Sequence, residues 1–332
     1  MIRKTLILRE PEIRSLLDPA AWVEAVENAF SAYARGQAEL PAVINLDIPG
    51  HNGEVHVKAG YLHTLPYYAV KIASGFAGNP QLGLPSSDGM VLVFDAETGA
   101  LSALLLDNGY ITDLRTAAAG AVAAKHLARA TVATVAVIGS GAQARYQIRL
   151  LSLVRHFREV RVWGRNPEKA AACVEDLSRE AASDCHMVTS PSVREAVQSA
   201  DIVITVTASR EPLVRAEWVA KGALVIAVGS DGPDKQELDV NVLARADRVV
   251  ADSLPQCLRL GEIHHAVDKG VITKEKVTAE LGEITAGMKP GRTADDEIIV
   301  CDLTGVGVQD VAAASLVLQR ALQNAKGEWL SL

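Results

Sequence analysis

A chain of 332 residues with 33 Lys and Arg against 40 Asp and Glu carries a formal charge of −7, which opposes sequence-independent attraction to nucleic acid or anionic lipid. With 49% hydrophobic, 22% charged and 4% aromatic residues it has the balance of a globular protein, and its length suits about two domains, so a disordered chain or a disulfide-stapled mini-domain is excluded. Cys173, Cys185, Cys257 and Cys301 lack CxxC spacing, so reduced thiols in a cytoplasmic protein are expected rather than a zinc ribbon or a redox pair.

The opening MIRKTLILREPEIRSLL regains charge at Arg9, Glu10 and Glu12 before an export-length apolar run can form, and no later stretch reaches the roughly 20 apolar residues of a membrane span. Neither a signal peptide nor a membrane partner is expected. Asp18 followed by Pro19 predicts a helix start, with Val23, Val26, Phe30 and Tyr33 on one face and Gly36 as the stop. The runs VHVKAGYL, YYAVKIASGF and GMVLVFD, then the turn AETG and ALSALLL, predict a mixed sheet with at least one hairpin. Thr112 or Asp113 is placed to cap the Ala-rich helix LRTAAAGAVAAKHLA.

From Val132 strands and helices alternate: VATVAVIG, a helix through Leu153, VRVWG, a helix from Pro167 to about Ala182, HMVTS, a short helix, then DIVITVTA, ALVIAVGS and DRVVADS. Apolar strands separated by helices predict an α/β fold with a Rossmann-type doubly wound parallel sheet. The last strand and turn, EIIVCDLTGVGVQ, precede a long helix, DVAAASLVLQRALQNA, that need not belong to this sheet. The predicted division is therefore a split mixed α+β domain, 1–128 and 303–332, around a dinucleotide-binding domain, 129–302.

Gly139, Gly141 and Ala144 in VIGSGAQA have the G-x-G-x-x-A spacing of a pyrophosphate turn, with Ala142 and Gln143 opening the helix. Gly139 permits the tight turn, Gly141 leaves room for an anion at the helix N-terminus, and Ala144 allows close helix–strand approach. Thr207 and Val228, at the ends of two later strands, are further cofactor-binding candidates. After the second strand, where NAD-specific sites place a carboxylate, the chain has Gly164 and Arg165. The missing acid favours NADP(H) over NAD(H), although Arg165 can equally be a solvated surface residue.

YAVKIASG, ITDLRTAAAGAVAA and AVGSDGPDKQELD, together with VIGSGAQA and DLTGVGVQD, resemble the ornithine cyclodeaminase/mu-crystallin family nearly end to end. The resemblance implies a homodimer or larger homo-oligomer that binds NAD(P)(H) and a small amino or imino acid. It implies that Lys71 and Arg115 meet the substrate carboxylate and that Asp231 is the acid/base group. Without it, Lys71 reads as a snorkelling strand lysine, Arg115 as a helix-end ion pair and Asp231 as an Asx-turn before Gly232. The sequence departs from the family in having no arginine between Arg35 and Arg115; Lys58 can replace that cation, and His56 lies where ornithine-specific members have a glutamate.

The implied reaction takes hydride from Cα to NAD(P)+, gives an imine, expels ammonia in a cyclodeaminase and returns the hydride. A ketimine reductase or amino-acid dehydrogenase performs one hydride step only, and a mu-crystallin-like binding protein performs none. Of the remaining candidates, Gly305 lies in the DLTGVG turn with Thr304 and Gly307, where close approach to substrate and a plain connection look alike. His264 and His265 are adjacent and cannot share a metal on one helix face, so a surface or interface role is expected. Ser86 and Ser87 lack the elbow of a hydrolase and are candidates to line the substrate cleft.

Overall fold

A computed structural model describes residues 4–180 and 184–331. The KTLILR stretch forms a strand: β1 (Lys4–Arg9) buries Leu6 and Leu8 and leads into one turn, α1 (Glu10–Arg14). Helix α2 (Pro19–Ala34) begins as expected, with the Asp18 carboxylate accepting the Ala20 and Ala21 N–H groups at 2.8 and 3.2 Å. Trp22, Val23, Val26 and Phe30 are buried, and Gly36 at φ +70° turns the chain out of the helix. Two short strands, β2 (Ala38–Glu39) and β3 (Ile44–Ile48), precede β4 (Gly53–Leu62), β5 (Tyr67–Phe76), β6 (Ser87–Asp95) and β7 (Leu101–Leu106), which pair antiparallel in succession. The AETG turn closes because the Asp95 carboxylate accepts the Glu97 and Thr98 N–H groups and the Thr98 hydroxyl.

Helix α3 (Tyr110–Leu127) starts ahead of the expected caps, Thr112 and Asp113. Asp107 does the capping: its Oδ2 accepts the Ile111 N–H at 2.8 Å, and Asn108 and Gly109 make the turn at positive φ. Then come β8 (Thr134–Ile138), α4 (Ala142–Leu151), β9 (Glu159–Trp163), α5 (Pro167–Ser178), β10 (His186–Thr189), α6 (Val193–Val197), β11 (Ile202–Thr205) and β12 (Leu224–Ala227). They are followed by α7 (Val240–Arg245), β13 (Arg248–Ala251), α8 (Leu254–Cys257), α9 (Gly261–Asp268), β14 (Val277–Glu280), α10 (Leu281–Thr285) and β15 (Ile299–Asp302). The expected end of the Pro167 helix near Ala182 lies outside the described residues.

These strands form one parallel sheet in the order β10-β9-β8-β11-β12-β15-β13-β14. Every residue of β11, β12 and β15 is buried, as a sheet covered on both faces requires. Strand order reverses between β8 and β11, the switch point where doubly wound sheets open a ligand crevice at their carboxyl ends. The α/β, doubly wound fold class is therefore what the sequence predicts.

The chain closes with α11 (Gly307–Gln323) and β16 (Glu328–Ser331). Strand β16 pairs antiparallel with β1, completing a sheet ordered β16-β1-β7-β6-β5-β4-β2 with β3 on β4. Helix α11 packs against α2 and covers β4 and β5. Two compact units result, Met1–Arg115 with Val306–Leu332, and Thr116–Gly305. The first change of unit falls inside α3 rather than at 128/129, because an uninterrupted helix gives no local sign of it, and the second falls after Gly305 rather than at 302/303. Among the described residues no helix is long and apolar enough to cross a membrane. All four cysteines are free, with Cys173, Cys257 and Cys301 buried.

Candidate active site

In the first unit, alternation along β4 and β5 puts Lys58 and Lys71 directly opposite one another on one face of the sheet. The same face carries Gly60, where a Cβ would come within 3.1 Å of Val311 of α11, so it is the helix-covered face. Like charges in register repel, and burial magnifies the repulsion, so this pair needs an anion. Asp310, in the first turn of α11, supplies one. Its Oδ1 accepts from Lys71 Nζ at 3.0 Å and Arg115 Nε at 2.9 Å, while Arg115 Nη1 donates to Gln309 Oε1 at 2.8 Å. All three charged groups are almost completely buried, at 3% exposure for Lys71, 5% for Arg115 and 2% for Asp310.

Burial pulls the Lys71 amine down to about 7, helped by the Arg115 and Lys58 charges and opposed by Asp310. Burial pushes Asp107 up to about 6, against its Ile111 hydrogen bond and the pull of Lys71. Burial also acts to raise Asp310, but Arg115, Lys71 and Lys58 together hold it below the usual carboxylate value. Asp310 is thus the ionised carboxylate that Lys71 and Arg115 share. Asp310 Oδ2, Asp107 Oδ1 and Gln309 Nε2 are buried without hydrogen-bond partners, and a polar ligand is one way such groups become satisfied. Sequence reasoning missed Asp107, Gln309 and Asp310.

His56, two residues before Lys58, has Nδ1 2.7 Å from Asn45 Oδ1 and Nε2 3.6 Å from Glu54. Ser86 and Ser87 are exposed, Ser86 accepting the Phe76 N–H through its carbonyl and Ser87 opening β6.

In the second unit the VIGSGAQA loop joins β8 to α4. Gly139 has φ +131°, and a Cβ there would lie 2.8 Å from Val206, so protein packing alone demands glycine. Gly141 differs: a Cβ there would meet nothing within 4 Å, and as the α4 N-cap it offers no side chain to the helix N–H groups. Open space beside uncapped N–H groups is what a pyrophosphate needs, so these residues fit a dinucleotide. Ala142 and Gln143 open α4, Ala144 is buried, and Arg145 Nη1 braces the loop through the Ser140 and Gly141 carbonyls at 2.9 and 3.2 Å. Arg165 is exposed just beyond β9, next to Asn166, which caps α5; a Cβ at Gly164 would come 2.5 Å from Ser140 Oγ.

Asp231 follows β12, half exposed, with Lys235 Nζ 2.7 Å from its Oδ1. Val228 is buried, and the Thr207 N–H donates to Glu237 Oε1 at 2.5 Å. Gly305, expected in the substrate domain, is the last residue of this unit; its N–H donates to Asp252 Oδ2 at 2.7 Å. His264 corrects an expectation: it is buried, with Nδ1 2.6 Å from the Gly261 carbonyl and Nε2 3.1 Å from that of Pro233, because α9 turns that side inward.

Residues 3–325 match the model of the ornithine cyclodeaminase/mu-crystallin family. An uncharacterized cyclodeaminase of Sinorhizobium fredii (strain NBRC 101917 / NGR234) is 47% identical over 324 residues, 97% of each chain. An archaeal alanine dehydrogenase, solved as a dimer with bound NAD, superposes with a TM-score of 0.93 at 37% identity over 99% of this chain and 100% of that one. The Thermococcus litoralis Δ1-pyrroline-2-carboxylate reductase, solved with NADH and L-proline, gives a TM-score of 0.93 at 33% identity over 98% and 99%. With the expected motifs in place on this fold, the chain belongs to the ornithine cyclodeaminase/mu-crystallin family.

Proposed function

We propose that the protein is an NAD(P)-dependent enzyme acting at the Cα–N bond of a small amino or imino acid, working as an imine reductase or amino-acid dehydrogenase rather than an ornithine cyclodeaminase. The observation that carries this reading is the buried Lys71–Asp310–Arg115 cluster, which sets a guanidinium able to hold an acid group beside an amine that holds or releases a proton near neutrality; His56, where ornithine-specific members have a glutamate, argues against ornithine. A substrate carboxylate is a partner that the Arg115 guanidinium can hold in fork geometry.

When bound, the dinucleotide supplies or accepts the hydride at the substrate Cα. Arg115 and Lys58 hold the acid group, with His56 as a further substrate contact. Lys71, populated both with and without its proton near neutrality, delivers a proton to the imine nitrogen or removes one from the amine. Asp231 exchanges protons with water. Gly139, Gly141, Ala142, Gln143 and Ala144, with Thr207 and Val228, hold the dinucleotide, and Arg165 with no nearby carboxylate after β9 favours the 2′-phosphorylated form, NADP(H). The face opposite Lys58 carries Ile44, Val57, Ile72 and Met90 in one row across β3 to β6, with Ile44 64% and Met90 37% exposed. A second copy covers this row in a homodimer, so sedimentation should give twice the chain mass.

Stoichiometry tests the reading. Incubation with a panel of cyclic imino acids, and of 2-oxo acids with ammonia, should consume one NAD(P)H per amino acid formed, with NADPH preferred over NADH. Release of ammonia from ornithine without net cofactor change would overturn it. Gly141→Val should still fold, at a cost of about 1 kcal/mol for the poorer N-cap, since a Cβ there enters open space. It should nevertheless weaken NADPH binding at least about 100-fold by occupying the anion's place; unchanged affinity in a fluorescence titration would contradict the loop assignment.

A further inference from the structure

Glu237 lies in the loop between β12 and α7, completely buried, and no motif reading assigned it a role. Its two oxygens are used separately: Oε1 accepts the Thr207 N–H at 2.5 Å and Oε2 the Gly229 N–H at 2.9 Å. Thr207 and Gly229 each follow a strand by two residues, and those strands, β11 and β12, are parallel neighbours. The turns are in contact, because a Cβ on Gly229 would lie 2.2 Å from the Thr207 carbonyl oxygen. Glu237 is itself fixed. Glu262 accepts the Glu237 and Leu238 N–H groups at 2.7 and 3.1 Å, and Asp302 Oδ2 accepts the Glu262 N–H at 2.8 Å.

We propose that Glu237 is a positioning residue of the dinucleotide site, its ionised carboxylate tying together the turns after β11 and β12 at the carboxyl edge of the sheet. The inference rests on the dinucleotide reading of this unit. A carboxylate accepts two N–H groups at once. A carboxylic acid or an amide carries a donor on one side, so its hold on one of the two N–H groups is weaker, with the Thr205 and Thr207 hydroxyls beside it to take the new donor.

Burial pushes Glu237 up to about 7, against the pull of the Thr205 and Thr207 hydroxyls and of its N–H donors, so the tie changes near neutral pH. Glu262 and Asp302, which face it from α9 and β15, are driven well above the ordinary carboxylate value, mainly by burial and then by neighbouring carboxylates. On this loop Asp231 pairs with Lys235, Asp234 is exposed and Asp239 caps α7, while from α9 His264 faces the Pro233 carbonyl and His265 the Lys235 carbonyl. Sign follows from the geometry: the ionised form holds both turns, so cofactor affinity falls as pH falls through about 7.

The test is a fluorescence titration with NADH, from about pH 6 to about pH 8.5, on the wild-type protein and Glu237→Gln. Wild-type Kd should rise below neutrality, approaching tenfold per pH unit. Glu237→Gln should bind about 10- to 100-fold more weakly at the high end, with a flat profile. A second measurement needs no variant: amide hydrogen exchange of the cofactor-free wild type, corrected for intrinsic rate, should show the peptides containing Thr207 and Gly229 losing protection below pH 7 while β8 does not. A Glu237→Gln protein with wild-type affinity and pH profile, a flat wild-type profile, or turn protection that ignores pH would each overturn the proposal. If the wild type binds neither NADH nor NADPH at any pH, the dinucleotide reading fails first and takes this inference with it.

Discussion

Replacing Asp310 with alanine should lower stability at pH 7 by about 3 to 5 kcal/mol, the range expected when one partner of a buried ion cluster is removed. Lys71 and Arg115 stay buried in this variant with no carboxylate between them. Lys71 can escape part of the penalty by giving up its proton, since its amine already titrates near 7. Arg115 has no such escape, because a guanidinium does not deprotonate at this pH. Urea denaturation read by circular dichroism measures the difference. A loss below about 1 kcal/mol would mean that the cluster is far wetter than the structure shows.

Lys71→Met carries the second large effect. Methionine fills similar space but has no proton to give, so kcat should fall by about 100- to 10,000-fold while NADPH affinity is unchanged. In the wild type, imine reduction should slow as pH rises through about 7, because the proton donor is lost; amine oxidation should gain over the same interval. Stability has its own sign. The folded chain releases the Lys71 proton near 7 and the unfolded chain near 10.5, so between those values the unfolded state binds more protons. Stability therefore rises with pH across that window, and the rise should be missing in Lys71→Met. A variant with wild-type kcat and the wild-type slope would remove Lys71 from both roles.

Local chemistry explains what was legible before the structure. The β8–α4 loop announces itself by glycine spacing, α2 by Asp18 and Pro19, and the parallel strands by apolar runs that only a doubly covered sheet tolerates. Lys71 and Arg115 became candidates through motif context. Their partner did not, because Asp310 lies 239 residues from Lys71 and 195 from Arg115, and within VGVQDVAAAS it looks like any acid in a helix's first turn. Glu237 in QELD reads as part of a solvated turn, just ahead of Asp239, which caps α7. The strand β1 was hidden because half its residues are polar, and its pairing with β16 joins opposite ends of the chain. Asp107 lost to Thr112 and Asp113 as a cap because the LDNG turn before α3 resembles an ordinary loop.

The central claim is net transfer of one hydride from a nicotinamide dinucleotide to the imino carbon of a small imino acid. Turnover with NADPH deuterated at the transferable position, followed by mass spectrometry of the product, tests it directly. The account predicts an amino acid carrying one deuterium at Cα and an equal amount of NADP+. Ammonia released from a diamino acid, with the deuterium still on the cofactor, would contradict it.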